Sequence, residues 1–536
     1  MPSLFFVVKL YLEDDIISGA SLPGTPFIAT GSNKFVTWGL TTENSDNTDL
    51  CEERIEDNFY IYDNKKFPIE IVHDEIKVRF GKNVNFDIKY TRNGPLVDET
   101  VPKEFLLLNQ PFHFDSPISF RSAFYKFNFT NFDFYFGINF AKNKNDFLSV
   151  VHKAVAPNYN FHYATRDGEI GWIPLGRVTV KNFYNRFCRG YTSEDDILKY
   201  VPRSEMLHLE NPKKGFIVTA NNKPASFNYT YELRGHHNHV RAHRINEMIL
   251  KFIKENHKIT INDTMKMIND VHESLAEYIL PKILKIIEKN SRFDINQNKY
   301  YSMLKKWNFE MNKDSREATI YSVFERDIGY YLLENKFNDI LARGEMSYLH
   351  YWNFITGIID KLYKGERIDM KQCAYRSGNS NCEIYLVNIF NNLEMSLKKY
   401  MDKNGEIKKW GEINSNDFPH IPFDNIPLIN KFFSRRIFGG GNKNTVKIAR
   451  GPYNHKKSEF IGTQSARLKF ICEMNDPFNP YIVIPGGNGG SPFNKYFDNL
   501  SKEHEDAVLY KFENVDFENI SNDDDRLIIL QKEKLV

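Results

Sequence analysis

From residue 1 to about 225, apolar and polar positions alternate in short runs broken by Gly, Pro and Asn, as in "FYKFNFTNFDFYFGINFA" and "GEIGWIPLGRVTV". A period of two sends successive side chains to opposite faces, so this part predicts mainly antiparallel strands. The opening "MPSLFFVVKLYLEDD" reads the same way: its apolar run is short, is interrupted by Lys9 and has no cleavage-like end. Near Val240 the period changes. Ile245, Met248, Ile249, Phe252 and Ile253 recur at helical spacing, and "ITINDTMKMINDVHESLAEYILPKILKII" places Thr260 and Asp263 as a capping box, with an apolar face running to Ile287. Helical patterns continue to about 400. After Trp410 the strands "TVKIA", "ARLKFICEM" and "YIVIPGGNGGSPF" follow. Strands at both ends with helices between predict one α+β domain over 1–536 (strand-rich 1–225, helical 240–400, strand-rich 410–515), its sheet completed by distant segments.

Within the first part, "FIVTANNKP" stands out. Ile217 and Val218 suit a buried strand, and Pro224 cannot continue one because it lacks the N–H that the ladder needs. Asn221 and Asn222 therefore fall where a rigid element ends, and an amide there serves either to hold a turn or to donate to a ligand.

Composition narrows the choices. The 536 residues carry 71 basic and 69 acidic side chains, a formal charge of +2 that gives no reason to expect nucleic acid as a partner. No run reaches the roughly 18 apolar residues of a membrane-spanning helix. The five cysteines (Cys51, Cys188, Cys373, Cys382, Cys472) show no CxxC spacing, which argues against zinc; a Cys373–Cys382 disulfide is open. Sequons at Asn128, Asn228, Asn262, Asn499 and Asn519 are expected by chance in so Asn-rich a chain.

Three clusters could carry chemistry. In "WGLTTENSDNTDL", Asp46 and Asp49, with the Thr48 carbonyl between them, could ligate a hard cation such as calcium, or simply be solvated. In "ELRGHHNHVRAHRI", His236, His237, His239 and His243 lack HExxH spacing and read as loop and surface residues. Arg241 and Arg244 open the following helix against its dipole, which calls for a partner. "IPGGNGGSPF" has neither a P-loop lysine nor GxGxxG, and reads as tight backbone packing.

The pieces together resemble the penicillin acylases, N-terminal-nucleophile amidohydrolases. "SLPGTPFIATGSNKFVTWGLTTENSDNTDL", "YTRNGPLV", "NYNFHYATRDGEIGWIPLGRV", "NPKKGFIVTANNKP", "VRAHRINEMI", "KKWNFEMNKDSREATIY", "GGGNKNTVKIA" and "YIVIPGGNGGSPFNKYFDNL" follow in the family's order. The resemblance implies a four-layer αββα sandwich, hydrolysis of a linear acyl amide, and a mostly extracytoplasmic location. It assigns the oxyanion donors to the Asn221 side chain and the Thr42 backbone N–H, and nucleophile orientation to Arg241. A structural calcium site maps to Asp46, Thr48 and Asp49, with a further carboxylate near Glu232. The family's nucleophile, exposed by autocleavage, and its small α-subunit match nothing in this chain, which reads as a β-subunit without its first strands. A fragment and a catalytically silent paralogue acting as a binding protein are the two alternatives. "GSNKFV" superficially offers Ser32 as a substitute, and Ser3 would require removal of Met1 and Pro2.

Overall fold

The computed structural model describes residues 4–514 apart from 98–115, 124–126, 128–130, 156–157, 184–186, 225–227, 236, 292–293, 342–348, 367–381, 421–422, 451–452, 455–458 and 463. Seven strands form the main sheet as an antiparallel meander in chain order: β1 (Phe6–Tyr11), β2 (Ile16–Ser21), β3 (Thr30–Ser32), β4 (Val36–Thr42), β5 (Tyr159–Thr165), β6 (Ile170–Pro174) and β7 (Leu209–Glu210). The period-two pattern is visible in what each face meets. Ile17, Trp38, Phe161 and Tyr163 share one buried cluster with Phe134, Ile138, Phe147 and Val151 of two covering helices, α1 (Asn131–Asn139) and α2 (Lys144–Val151). On the opposite face Ser18 and Ser32, paired across β2 and β3, donate their hydroxyls to the carbonyls of Phe478 and Pro477 at 2.7 and 2.5 Å.

Three expectations are corrected. The aromatic run predicted as strands instead contains α1: Phe134 and Ile138 are buried one helical turn apart, while Phe132, Phe136 and Phe140 are exposed. The alternation of phenylalanines was real, but it does not mark the buried face. Residues 216–219 form no strand, although the chain there is half-buried. The C-terminal strands do not complete the main sheet; Lys469–Ile471, Tyr481–Val483 and Tyr510–Lys511 form a small sheet of their own. This part meets the first at β1, where the Asn488 side chain brackets the Val7 backbone, accepting from its N–H at 2.8 Å and donating to its carbonyl at 2.9 Å. Glycines flank that asparagine because a Cβ at Gly487 would stand 2.0 Å from the Tyr496 carbonyl oxygen.

The middle of the chain is helical, as expected. The helix α3 (Val240–Lys254) is followed by Ile261–Ile268, whose capping box is present: Thr260 Oγ1 accepts from the Asp263 N–H and the Asp263 carboxylate accepts from the Thr260 N–H. The next helix, Ser274–Asn290, buries Ala276, Ile279, Ile283 and Ile287 in a second, larger core. The stripe on α3 is only half covered, with Ile253 49% exposed.

Candidate active site

The polar face of the main sheet carries the site. Thr42 ends β4 and is exposed, and its carbonyl accepts two side-chain amides, from Asn160 Nδ2 at 3.2 Å and Asn221 Nδ2 at 2.5 Å. Asn160, on β5, is fully buried and fixed by the Trp172 indole N–H, which donates to its Oδ1 at 2.9 Å. Asn221 approaches from the loop after residue 219. Its Oδ1 accepts from Arg241 Nη2 at 2.5 Å, and since a guanidinium only donates, this contact decides which end of the amide is oxygen. The amide nitrogen is thereby turned toward Thr42. One of its two protons goes to the Thr42 carbonyl, and the second is left for another acceptor.

The loop is shaped to present that group. Asn221 has φ 62°, a left-handed conformation that asparagine tolerates better than most residues, and its carbonyl accepts from the Asn238 N–H at 3.0 Å. Asn222 holds the turn, its Oδ1 accepting from the Ala220 N–H at 3.0 Å. Thr219 is tied to the sheet through its hydroxyl, 2.6 Å from His162 Nε2 on β5. Arg241, in the first turn of α3, has in Asn221 the partner that its unfavourable position against the dipole demands; Arg244 finds one in Asp270 at 2.8 Å.

Burial pulls the His162 pKa down to about 4. His237, next to the Asn238 that braces Asn221, is pulled to about 4 by burial, helped by the positive charges of Lys223 and His239. Both histidines are therefore neutral in the fold at pH 7. A lowered folded-state pKa means the unfolded chain binds protons first, so this stability is complete above about 6.5 and is lost as pH falls from there toward 4. The melting temperature is expected to drop over that interval, and to drop less in His162→Gln; an unchanged slope in the variant would reject His162 as a contributor.

The other wall is the loop 43–46. Glu43 is buried beside Thr42, and burial pushes its carboxyl above the ordinary value against the hydrogen bond that the Ser45 hydroxyl donates to its Oε1 at 2.5 Å. Gly235 crosses this loop with φ +151°, and a Cβ there would lie 1.8 Å from the Asn44 carbonyl oxygen. Gly235→Ala is expected to cost about 1–3 kcal/mol of stability, read from the denaturation midpoint. An unchanged midpoint would mean that the approach is looser than it stands here.

A description of the penicillin amidase family matches residues 1–514. The chain belongs to the penicillin amidase family. Family members are hydrolases of amide bonds. A thermostable penicillin G acylase from Alcaligenes faecalis has a similar structure, with a TM-score of 0.70 at 14% identity over 99% of this chain and 95% of that one. The α+β architecture is thus that of the N-terminal-nucleophile hydrolases. An acyl-homoserine lactone acylase, QuiP of Pseudomonas fluorescens, is 28% identical over 231 residues, 40% of this chain and 26% of that protein.

The remaining site residues divide clearly. Asn221, Thr42 and Arg241 come together as described. Ser32 is fully buried on β3 and its hydroxyl donates to the Pro477 carbonyl; Ser3 lies outside the described residues. Asp46 and Asp49 do converge, but on an ammonium: Lys181 Nζ is 3.1 Å from Asp46 Oδ2 and 2.6 Å from Asp49 Oδ1. Arg121 Nη2 takes the other Asp49 oxygen at 3.0 Å, and Thr48 sits in a strand opposite Ser122. Two carboxylates already balanced by two cations do not fit a divalent metal. Glu232 accepts from Arg234 Nη2 at 2.7 Å. Of the histidines, His243 pairs with Glu247 at 3.1 Å and His236 lies outside the described residues. Among the described residues no three His, Cys, Asp or Glu are grouped to hold a metal, and no helix is long and apolar enough to cross a membrane.

Cys51 and Cys188 form a disulfide. Cys382 is also disulfide-bonded, while Cys373, the partner suggested for it, lies outside the described residues. Sequence reasoning missed Asn160, His162 and Lys181. The first two were accessible in principle, as alternate polar positions in a strand whose other face is apolar.

Proposed function

We propose that this chain supplies the oxyanion-binding half of a penicillin-acylase-type amide hydrolase. The observation that carries the reading is the Arg241–Asn221–Thr42 contact, which aims a carboxamide N–H beside the end of β4. In the reaction, a nucleophile attacks the amide carbonyl and the tetrahedral oxyanion is stabilised by Asn221 Nδ2 and the Thr42 N–H; its collapse breaks the C–N bond and releases the amine with the nucleophile's proton, and water then hydrolyses the acyl-enzyme to free the acid and the nucleophile. With Ser32 buried, the nucleophile in this reading is an N-terminal Ser, Thr or Cys encoded upstream of Met1, with a separate α-subunit as a further partner. The substrate is a linear N-acyl amide, and the QuiP similarity makes N-acyl-homoserine lactones a class to assay. The disulfide pairing supports an oxidising, extracytoplasmic compartment.

The competing reading, a silent relative that uses the fold for binding, draws on the Asn221 proton already held by Thr42. The experiment expresses residues 1–536 alone and with the segment encoded immediately upstream, and assays phenylacetyl, aliphatic acyl and acyl-homoserine-lactone amides. Turnover is expected only with the upstream segment. Robust turnover by 1–536 that is abolished by Ser32→Ala would overturn the assignment of the nucleophile, and no turnover in either form would favour the silent relative.

A further inference from the structure

We propose that Lys181 is a built-in cation that replaces a divalent metal between Asp46 and Asp49, so that the loop following Thr42 is held by the chain's own ammonium and is independent of calcium. The Lys181 side chain is 2% exposed. An ammonium so deeply buried is tolerable only when paired, and the two carboxylates provide the pairing. Its position is built rather than incidental. Lys181 ends the strand Thr179–Lys181, and the Thr179 hydroxyl, on the same face two residues earlier, donates to the Asp46 carbonyl at 3.4 Å. Phe183, itself buried, lies under both cations, with Lys181 Nζ 5.2 Å and the Arg121 guanidinium 5.4 Å from its ring centroid.

A metal at this place would need the oxygens that now accept from Lys181 and Arg121. Filling it would set a divalent charge against two buried cations, which the low local dielectric makes strongly unfavourable. The tethered ammonium meets the same electrostatic need without a dissociable ligand. The Asp46 backbone N–H, bonded to the Arg234 carbonyl at 2.7 Å, then carries the constraint across to the segment that leads into Gly235 and α3.

The test measures thermal unfolding of the 536-residue chain with millimolar calcium and with a chelator, and repeats it for Lys181→Met, Asp49→Asn and the double variant. The wild-type midpoint is expected to be the same in both buffers. Each single variant is expected to lower it by about 3–8 °C, and the double variant by clearly less than the sum of the two, because it removes both members of the pair. A calcium-raised wild-type midpoint that Asp46→Asn returns to the chelated value would overturn the proposal, and so would strictly additive single-variant losses. Should Lys181→Met not fold, the wild type and the half-exposed Asp46→Asn in the two buffers decide alone. These readouts involve no turnover, so they stand or fall separately from the proposed hydrolysis.

Discussion

Replacing Asn221 by alanine is expected to lower kcat by roughly two to three orders of magnitude in the form that carries the nucleophile, about 3 kcal/mol of transition-state stabilisation. The donor matters chiefly when charge gathers on the carbonyl oxygen, so KM should move far less. Alanine also has to adopt φ 62° at this position, which costs about 1 kcal/mol of stability on its own account. Asn221→Gly separates the two effects, since glycine accepts that backbone at little cost and still lacks the amide. It should share the kcat loss and the loss of the Thr42 and Arg241 hydrogen bonds, but recover the part of the stability that the strained backbone costs alanine. Asn222→Ala should do the opposite: its side-chain oxygen accepts from the Ala220 N–H, and about 1 kcal/mol of stability goes with little change in kcat. Steady-state kinetics and denaturation midpoints on the three variants decide the matter. A kcat loss confined to Asn222→Ala would move the oxyanion hole by one residue, and unchanged kcat in all three would remove Asn221 from the chemistry.

How much of this was legible follows from the range over which each signal acts. The capping box at Thr260 and Asp263 is written within four residues and was readable. So was the need of Arg241 for a partner, because a helix dipole is a local fact; the local sequence leaves turn-holding and donation open between Asn221 and Asn222, and the strand expected before Pro224 does not form. The aromatic run before Ala141 misled because phenylalanine at every second position satisfies a strand pattern, while burial of Phe134 and Ile138 alone obeys the helical one. What decides between them is tertiary: the loop that leads into β3 packs on this helix, and its Ile28 backbone is bracketed by Asn139 at 2.8 Å in each direction. Lys181 was illegible for the same reason in stronger form. It lies 135 and 132 residues from Asp46 and Asp49, and nothing near it in sequence says that it will be buried. A pair of carboxylates in a polar loop calls for a cation, and local sequence cannot say whether that cation arrives from solvent or from the chain.

The largest loss of stability is expected from removing the Cys51–Cys188 disulfide. It closes a loop across a sequence separation of 137, for which the chain-entropy account gives about 5 kcal/mol, toward the upper end of what such bonds contribute. The bond also has a local task. Cys188 pairs in parallel with Cys51, and the two pack with Phe183 in a small buried cluster directly under Lys181 and Arg121. Cutting it should therefore loosen the support of Asp49 first, then the 43–46 loop, and through that loop the end of β4 at Thr42. Replacing both cysteines by alanine should lower the melting temperature by several degrees, and the nucleophile-bearing form should lose kcat at temperatures below its own unfolding. A variant that melts earlier yet keeps wild-type kcat until it unfolds would show that the staple acts on the unfolded chain alone. A melting temperature unchanged by the double substitution, or by reduction of the wild type, would show that the sheet pairing around Cys51 holds without it.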